Sequence, residues 1–185
     1  MESQRVLNLN LYLAEVHSNL GLLLYSQEMF EEAILEFRQA IHFNPNLAPV
    51  HSNLGLAFYK QGKFEDAIMQ FRQAISLDPN FADAHYNLGV VLSKQGRLEA
   101  ATTEFKQTIA LNPDMADAHD NLGVVLSKQG KLDEAVIEFR QAIPLEPNLA
   151  ETYYNLGVAL GMQNHQEEAI AELNKFQSLF QSLGT

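Results

Sequence analysis

The tripeptide Asn-Leu-Gly stands at Asn19-Leu20-Gly21, Asn53-Leu54-Gly55, Asn87-Leu88-Gly89, Asn121-Leu122-Gly123 and Asn155-Leu156-Gly157, always 34 residues apart. A period of that length marks a stack of like supersecondary units, none of which can bury its apolar face alone. Only the stack has a continuous core, so function has to lie on a surface. Registering on the glycine divides the chain into a lead-in, 1–13, and units 14–47, 48–81, 82–115, 116–149 and 150–183. These form one solenoid domain.

Each unit breaks at a turn, written Lys60-Gln61-Gly62-Lys63, Lys94-Gln95-Gly96-Arg97 and Lys128-Gln129-Gly130-Lys131 in the middle three. Glycine just after a periodic segment, with lysine in the last turn, stops a helix. Pro45, Pro79, Pro113 and Pro147 end the second segment of four units, because proline cannot continue a helix. The pattern predicts helix A, tight turn, helix B and proline loop, five times over. Glu28 and Asn164 stand where the other turns have glycine. Asparagine tolerates the left-handed backbone moderately and glutamate poorly.

The recurring residues of the third unit are His85, Leu88, Gly89, Leu92, Ala101, Phe105, Thr108 and Pro113; those of the fourth are His119, Leu122, Gly123, Leu126, Ala135, Phe139, Ala142 and Pro147. This series closely resembles the tetratricopeptide repeat, with His in place of the first aromatic in four units and no proline in the fifth. The resemblance implies an all-α, right-handed α-solenoid of antiparallel helix pairs, A helices lining the concave side and B helices the outside.

Each helical residue advances about 100°, which puts His85, Leu88, Gly89 and Leu92 on one side of helix A and Asp83, Asn87, Val90 and Lys94 roughly opposite. The first set is the packing face. On helix B, Leu132, Ala135, Val136, Phe139, Ala142 and Ile143 follow the spacing of a buried stripe. Carried over from the resemblance, the second set on helix A lines the groove. It comprises an amide ladder (Asn19, Asn53, Asn87, Asn121, Asn155), an acidic stripe one turn earlier (Glu15, Asp83, Asp117, Glu151) and a basic stripe about two turns later (Lys60, Lys94, Lys128). Tyr86, Asp120 and Tyr154 vary most beside the ladder and are the expected selectivity positions.

An asparagine side chain offers one acceptor and two donors, which suits it to a peptide backbone of any sequence. The ladder resembles that of protein O-linked N-acetylglucosamine transferases, where it grips extended peptides; a solvated or inter-helix role is the bland reading beside it. The family's two-carboxylate clamp, which needs Lys one turn before the asparagines, is not expected, since Glu15, Pro49, Asp83, Asp117 and Glu151 stand there. His17, His51, His85 and His119 sit on successive helices whose axes are about 8–10 Å apart, too far for one zinc at about 2 Å per ligand. They read as structural replacements for the aromatic. The paired acids Glu31-Glu32, Glu65-Asp66, Asp133-Glu134 and Glu167-Glu168 open B helices, where they complement the helix dipole.

No phosphate loop, nucleophile elbow or His-Glu-x-x-His string occurs, and the chain has no cysteine. The expectation is a protein that is not an enzyme and holds no metal or cofactor. Twelve Lys and Arg against 23 Asp and Glu give a formal charge of −11, which repels phosphate backbones and anionic headgroups and argues against nucleic acid or membrane as ligand. Polar residues interrupt the apolar stretches of Met1 to Tyr25, leaving no signal peptide or membrane span, so the chain reads as cytoplasmic.

The expected function is an adaptor or scaffold that binds a protein or peptide segment. The alternatives are the substrate-recognition domain of a larger enzyme such as a glycosyltransferase, and a self-assembling solenoid. Leu9-Asn10 mimics Leu111-Asn112, so the head reads as the exit loop of an earlier repeat in a longer protein. At the other end Phe176 replaces the alanine of Ala40, Ala74 and Ala142. With Leu173, Phe180 and Leu183 it predicts one long last helix whose apolar strip is covered by a second copy, making a homodimer, or by a further segment.

Overall fold

The computed structural model describes residues 2–183, and side chains over 5–181. Among the described residues ten helices follow one another: α1 (Glu2–Ser26), α2 (Phe30–Phe43), α3 (Ala48–Lys60), α4 (Phe64–Leu77), α5 (Ala82–Lys94), α6 (Leu98–Leu111), α7 (Ala116–Lys128), α8 (Leu132–Leu145), α9 (Ala150–Met162) and α10 (Gln166–Leu183). Odd-numbered helices are the A helices and even-numbered ones the B helices of an all-α solenoid of antiparallel pairs, with no strand among the described residues. They group into two compact units, Met1–Val91 and Leu92–Thr185.

In the first unit α1 packs on α2, α2 on α3 and α3 on α4. The buried stripe of helix B is Ala33, Ile34, Phe37 and Ala40 in α2 and Ala67, Ile68, Phe71 and Ala74 in α4. The glycine of the repeat lets the aromatic ring in. A Cβ on Gly21 would lie 2.6 Å from Phe37, and one on Gly55 would lie 2.8 Å from Phe71. Both rings are fully buried. Ala48, Ala74 and Ala84 form a small-residue contact edged by Ile75, Leu77 and Phe81.

The second unit repeats this order through α6, α7, α8, α9 and α10. Phe139 fills the place beside Gly123, and in the last pair Leu173 takes the ring's place beside Gly157. Arg140 in α8 reaches Glu168 in α10 at 2.7 Å, one period on from Lys106 and Glu134 at 3.8 Å in α6 and α8. The acid pairs thus tie successive B helices on an exposed face, where such bridges contribute about 0–1 kcal/mol.

The turns adopt the left-handed backbone their glycines suggest, with φ of 74°, 73° and 77° at Gly62, Gly96 and Gly130. Glu28 and Asn164 take the same conformation at 61° and 64°. In each case the next residue's N–H returns to a carbonyl five residues back, as Lys63 to Phe58 (2.9 Å), Lys131 to Leu126 (2.9 Å) and Met29 to Leu24 (3.0 Å). This closes the helix end with the paired bonds of a Schellman motif. Where caps are described, no helix start has a side-chain capping bond, so packing rather than capping sets the boundaries.

One expectation is corrected. The head is not an exit loop: residues from Glu2 onward are the beginning of α1, continuous through Ser26. Leu9-Asn10 is followed by Leu11 rather than by the proline of the other junctions, and nothing there stops a helix. Pro144 also lies inside α8, in its last turn. The final helix is longer than the other B helices, 18 residues against 14.

Candidate functional site

The histidines have a structural task. Nε2 of His51, His85 and His119 donates to the carbonyl of Pro45, Pro79 and Pro113, six residues back, at 3.0, 3.2 and 3.0 Å. The second nitrogen reaches helix B: His51 Nδ1 is 2.9 Å from Gln70, and His119 Nδ1 is 2.7 Å from Glu138. Each ring pins the proline loop to the start of its helix A. His17, with no proline loop before it, stacks on Phe43 at 5.5 Å and meets Glu36 at 2.6 Å. Among the described residues no group of three or more His, Asp or Glu could hold a metal ion.

The expected groove residues differ in exposure. In the first unit Glu15, Asn19 and Lys60 are exposed and Asn53 half-buried; on α5, Asp83 and Lys94 are exposed and Tyr86 and Asn87 half-buried. The amides of Asn19, Asn53 and Asn87 make no hydrogen bond with the rest of the described chain. Those of the second unit are engaged. Asn121 donates to its own helix at the carbonyl of Asp117, 2.9 Å away, and Asn155 faces Asp120. The five asparagines are therefore not equivalent.

Asp120, expected on the open wall, is only 8% exposed. It sits on α7 against Thr152 and Asn155 of α9. Burial pushes its carboxyl above the usual aspartate value of 3.8; the polar side chains of Thr152 and Asn155 work the other way, though one Asp120 oxygen and the Thr152 hydroxyl are buried without a hydrogen-bond partner, and the nearby Glu151 and Asp117 add to the rise. Its neighbour Tyr154 is half exposed. Asp120 is therefore not an open-wall residue: its depth depends on Thr152 of the next A helix, which the sequence of one helix does not contain.

The second unit brings several expected residues together. Asp117 of α7, Glu151, Tyr154 and Asn155 of α9, and Phe176 and Phe180 of α10 surround an open cavity of about 770 Å³, floored by Leu149 and Ala150. Tyr154 and Asn155 also wall a smaller cavity of about 150 Å³, which takes in Lys128, Val124, Val158 and Met162. Leu149, Ala150 and Met162 were not singled out from the sequence, although alanine recurs one period apart at Ala14, Ala48, Ala82, Ala116 and Ala150. Leu173 packs beside Gly157, Phe176 lies 5.5 Å from Tyr154 and 5.7 Å from Phe180, and Phe180 remains 66% exposed. Part of the expected apolar strip thus folds onto the chain's own α9; the side chain of Leu183 lies outside the described residues. No described helix is long and apolar enough to cross a membrane.

Comparison with known proteins gives matches along almost the whole chain. A family described as TPR repeat matches residues 21–62, 56–96, 92–130 and 126–164, and one described as Tetratricopeptide repeat matches 150–182. No curated protein matches. Among solved structures, a crystal structure of MamA is 26% identical, covering 89% of this chain and 96% of that one, with a TM-score of 0.82. YrrB, described as a TPR protein with an unusual peptide-binding site, is 25% identical, covering 88% of this chain and 84% of its own, with a TM-score of 0.76. PilF of Pseudomonas aeruginosa, at 22% identity, shares the fold, with coverage of 90% and 76% and a TM-score of 0.82.

Proposed function

Because the chain belongs to the tetratricopeptide repeat family, we propose that it is a protein-interaction module, an adaptor or scaffold that binds a peptide or helical segment of a partner along the face of its A helices. The observation that carries this reading is the ladder of asparagines. Asn19, Asn53 and Asn87 recur one period apart with their amides uncommitted to the chain, while the histidines and glycines of the same helices are consumed in packing. An uncommitted amide can both donate to and accept from an extended backbone, the use made of the ladder in the O-linked N-acetylglucosamine transferases it resembles. YrrB, described as having a peptide-binding site, gives the reading a precedent at similar length.

The test is selection of binders from a random-peptide display library on the intact chain, followed by Asn19→Ala, Asn53→Ala and Asn87→Ala together. Selected peptides should lose affinity at least tenfold, which is about 1.4 kcal/mol, while far-UV circular dichroism and melting stay as in the wild type. Equal affinity in the triple variant removes the ladder from the binding surface. Self-assembly is the second reading, favoured by Phe180 and Ile170, which are 66% and 59% exposed on α10. Sedimentation over a hundredfold concentration range, with Phe180→Glu as comparison, separates a concentration-dependent dimer from a monomer.

A further inference from the structure

The cavity at the last repeat is unlike anything the repeat pattern requires. Position 176 is alanine in three units and threonine in the third (Ala40, Ala74, Thr108, Ala142), and position 154 is serine, serine, tyrosine and aspartate in the four earlier units (Ser18, Ser52, Tyr86, Asp120). Here both are aromatic, and they meet. Tyr154, Phe176 and Phe180 form a chain of rings at 5.5 and 5.7 Å, tilted against one another by 55° and 38°. Asp117 and Glu151 stand beside the rings, exposed and in no ion pair of the described residues, and no Lys or Arg lines the cavity.

Aromatic faces carry negative potential and attract a cation within about 6 Å of a ring centre. Two unpaired carboxylates beside them add a second attraction of the same sign. A cavity of about 770 Å³ is within the usual range for side-chain and small-ligand recognition, about 300–1,000 Å³. An anionic or wholly apolar occupant would leave both carboxylates facing the ligand without a partner. Of the two basic side chains arginine fits better, because its planar guanidinium both stacks on rings and bonds a carboxylate through two N–H groups.

We propose that this cavity is a capture site for an arginine-bearing segment of the partner, its guanidinium held by Asp117 and Glu151 and its aliphatic stem and an adjacent apolar residue lying on Tyr154, Phe176 and Phe180. The proposal rests on the reading of the A-helix face as a binding surface, and names the chemistry that this face would recognise in the second unit.

The test uses the intact chain and two blocked dipeptides, acetyl-Arg-Leu-amide and acetyl-citrulline-Leu-amide, which differ in charge but hardly in shape. Titration followed by amide chemical shifts should show changes confined to residues lining the cavity with the arginine probe, and none with citrulline at the same concentration. Asp117→Asn and Glu151→Gln should each weaken the arginine probe at least fivefold, Phe176→Ala should weaken it similarly, and Glu99→Gln on α6 should leave it unchanged. Undisturbed amide spectra of each free variant establish that it is folded. Equal shifts from the two probes, shifts away from the cavity, or occupation by α10 of a second copy in sedimentation would each overturn the proposal. The ladder variant separates this outcome from the broader reading: display-selected peptides that depend on Asn19, Asn53 and Asn87 but not on Asp117 or Glu151 leave the groove standing and remove the arginine site. An arginine probe that binds as proposed while the ladder variant is neutral does the reverse.

Discussion

A single methyl group added at each of three helical glycines measures how tightly the repeat is packed. Alanine is favoured over glycine in a helix interior by about 1 kcal/mol, so each Gly→Ala begins with a gain of that size. At Gly161 the new Cβ would meet nothing nearer than Ala169 Cβ at 3.9 Å, an ordinary contact, and the gain should be kept. At Gly157 it would lie 2.8 Å from Leu173 Cγ and 3.2 Å from the Ala169 carbonyl oxygen. Leu173 is only half-buried and can move outward, but the backbone oxygen cannot, and the expected result is a loss of about 0.5–1 kcal/mol. At Gly123 it would lie 2.6, 2.8 and 2.9 Å from three atoms of the Phe139 ring. Favourable carbon–carbon contacts are about 3.5–4.0 Å, and the ring is 1% exposed with nowhere to go. Overpacking there costs about 2–3 kcal/mol, leaving a net loss of about 1–2 after the propensity gain. Urea unfolding followed by circular dichroism gives the order Gly161→Ala above wild type, then Gly157→Ala, then Gly123→Ala, at constant m-value. Amide exchange in α7 and α8 localises the loss. A Gly123→Ala protein as stable as the wild type would refute the assignment of this glycine as the seat of the helix B aromatic.

Two further outcomes test single residues. Asp120→Asn should stabilise the protein at neutral pH by on the order of 1 kcal/mol, because a buried carboxylate with imperfect hydrogen bonding is replaced by a neutral group of the same shape. The folded state holds the Asp120 proton to higher pH than the unfolded chain does, so its favourable contribution is present at low pH and lost as pH rises through the raised value. The advantage of Asp120→Asn over the wild type should therefore shrink on acidification from neutral toward the ordinary aspartate value of 3.8; a difference that stays constant with pH contradicts the burial argument. Glu28→Gly should raise the unfolding midpoint by the equivalent of about 0.5–1 kcal/mol, since φ at this turn is 61° and the left-handed backbone strains any residue with a Cβ. Gly130→Glu, at φ 77° with nothing within 4 Å of an added Cβ, should lose a similar amount through backbone strain alone, and a neutral result at both positions would mean that the turns are not held in this conformation.

What was legible in the sequence is what one repeat determines by itself. The left-handed turn at Gly62, the buried stripe of helix B that includes Phe139 and the stop at Pro45 follow from local chemistry written at the same offset in unit after unit. What was not legible depends on a neighbour. Whether Asp120 is open or buried is decided by Thr152 on the next A helix, and whether the head is loop or helix turned on one missing proline after Asn10. Phe176 is the intermediate case. Its size, where other units have alanine or threonine, marks the position as unusual, but does not say that the ring returns to Tyr154. Phe176 departs from the repeat and Tyr154 sits at a position that varies, as Tyr86 does two units earlier, so each taken singly reads as tolerated drift. Brought to 5.5 Å of each other, they line one cavity with Asp117 and Glu151. In a solenoid the constant positions are spent on stacking, so recognition has to be carried by irregular ones. Irregular positions that converge across helices are the ones to mutate first.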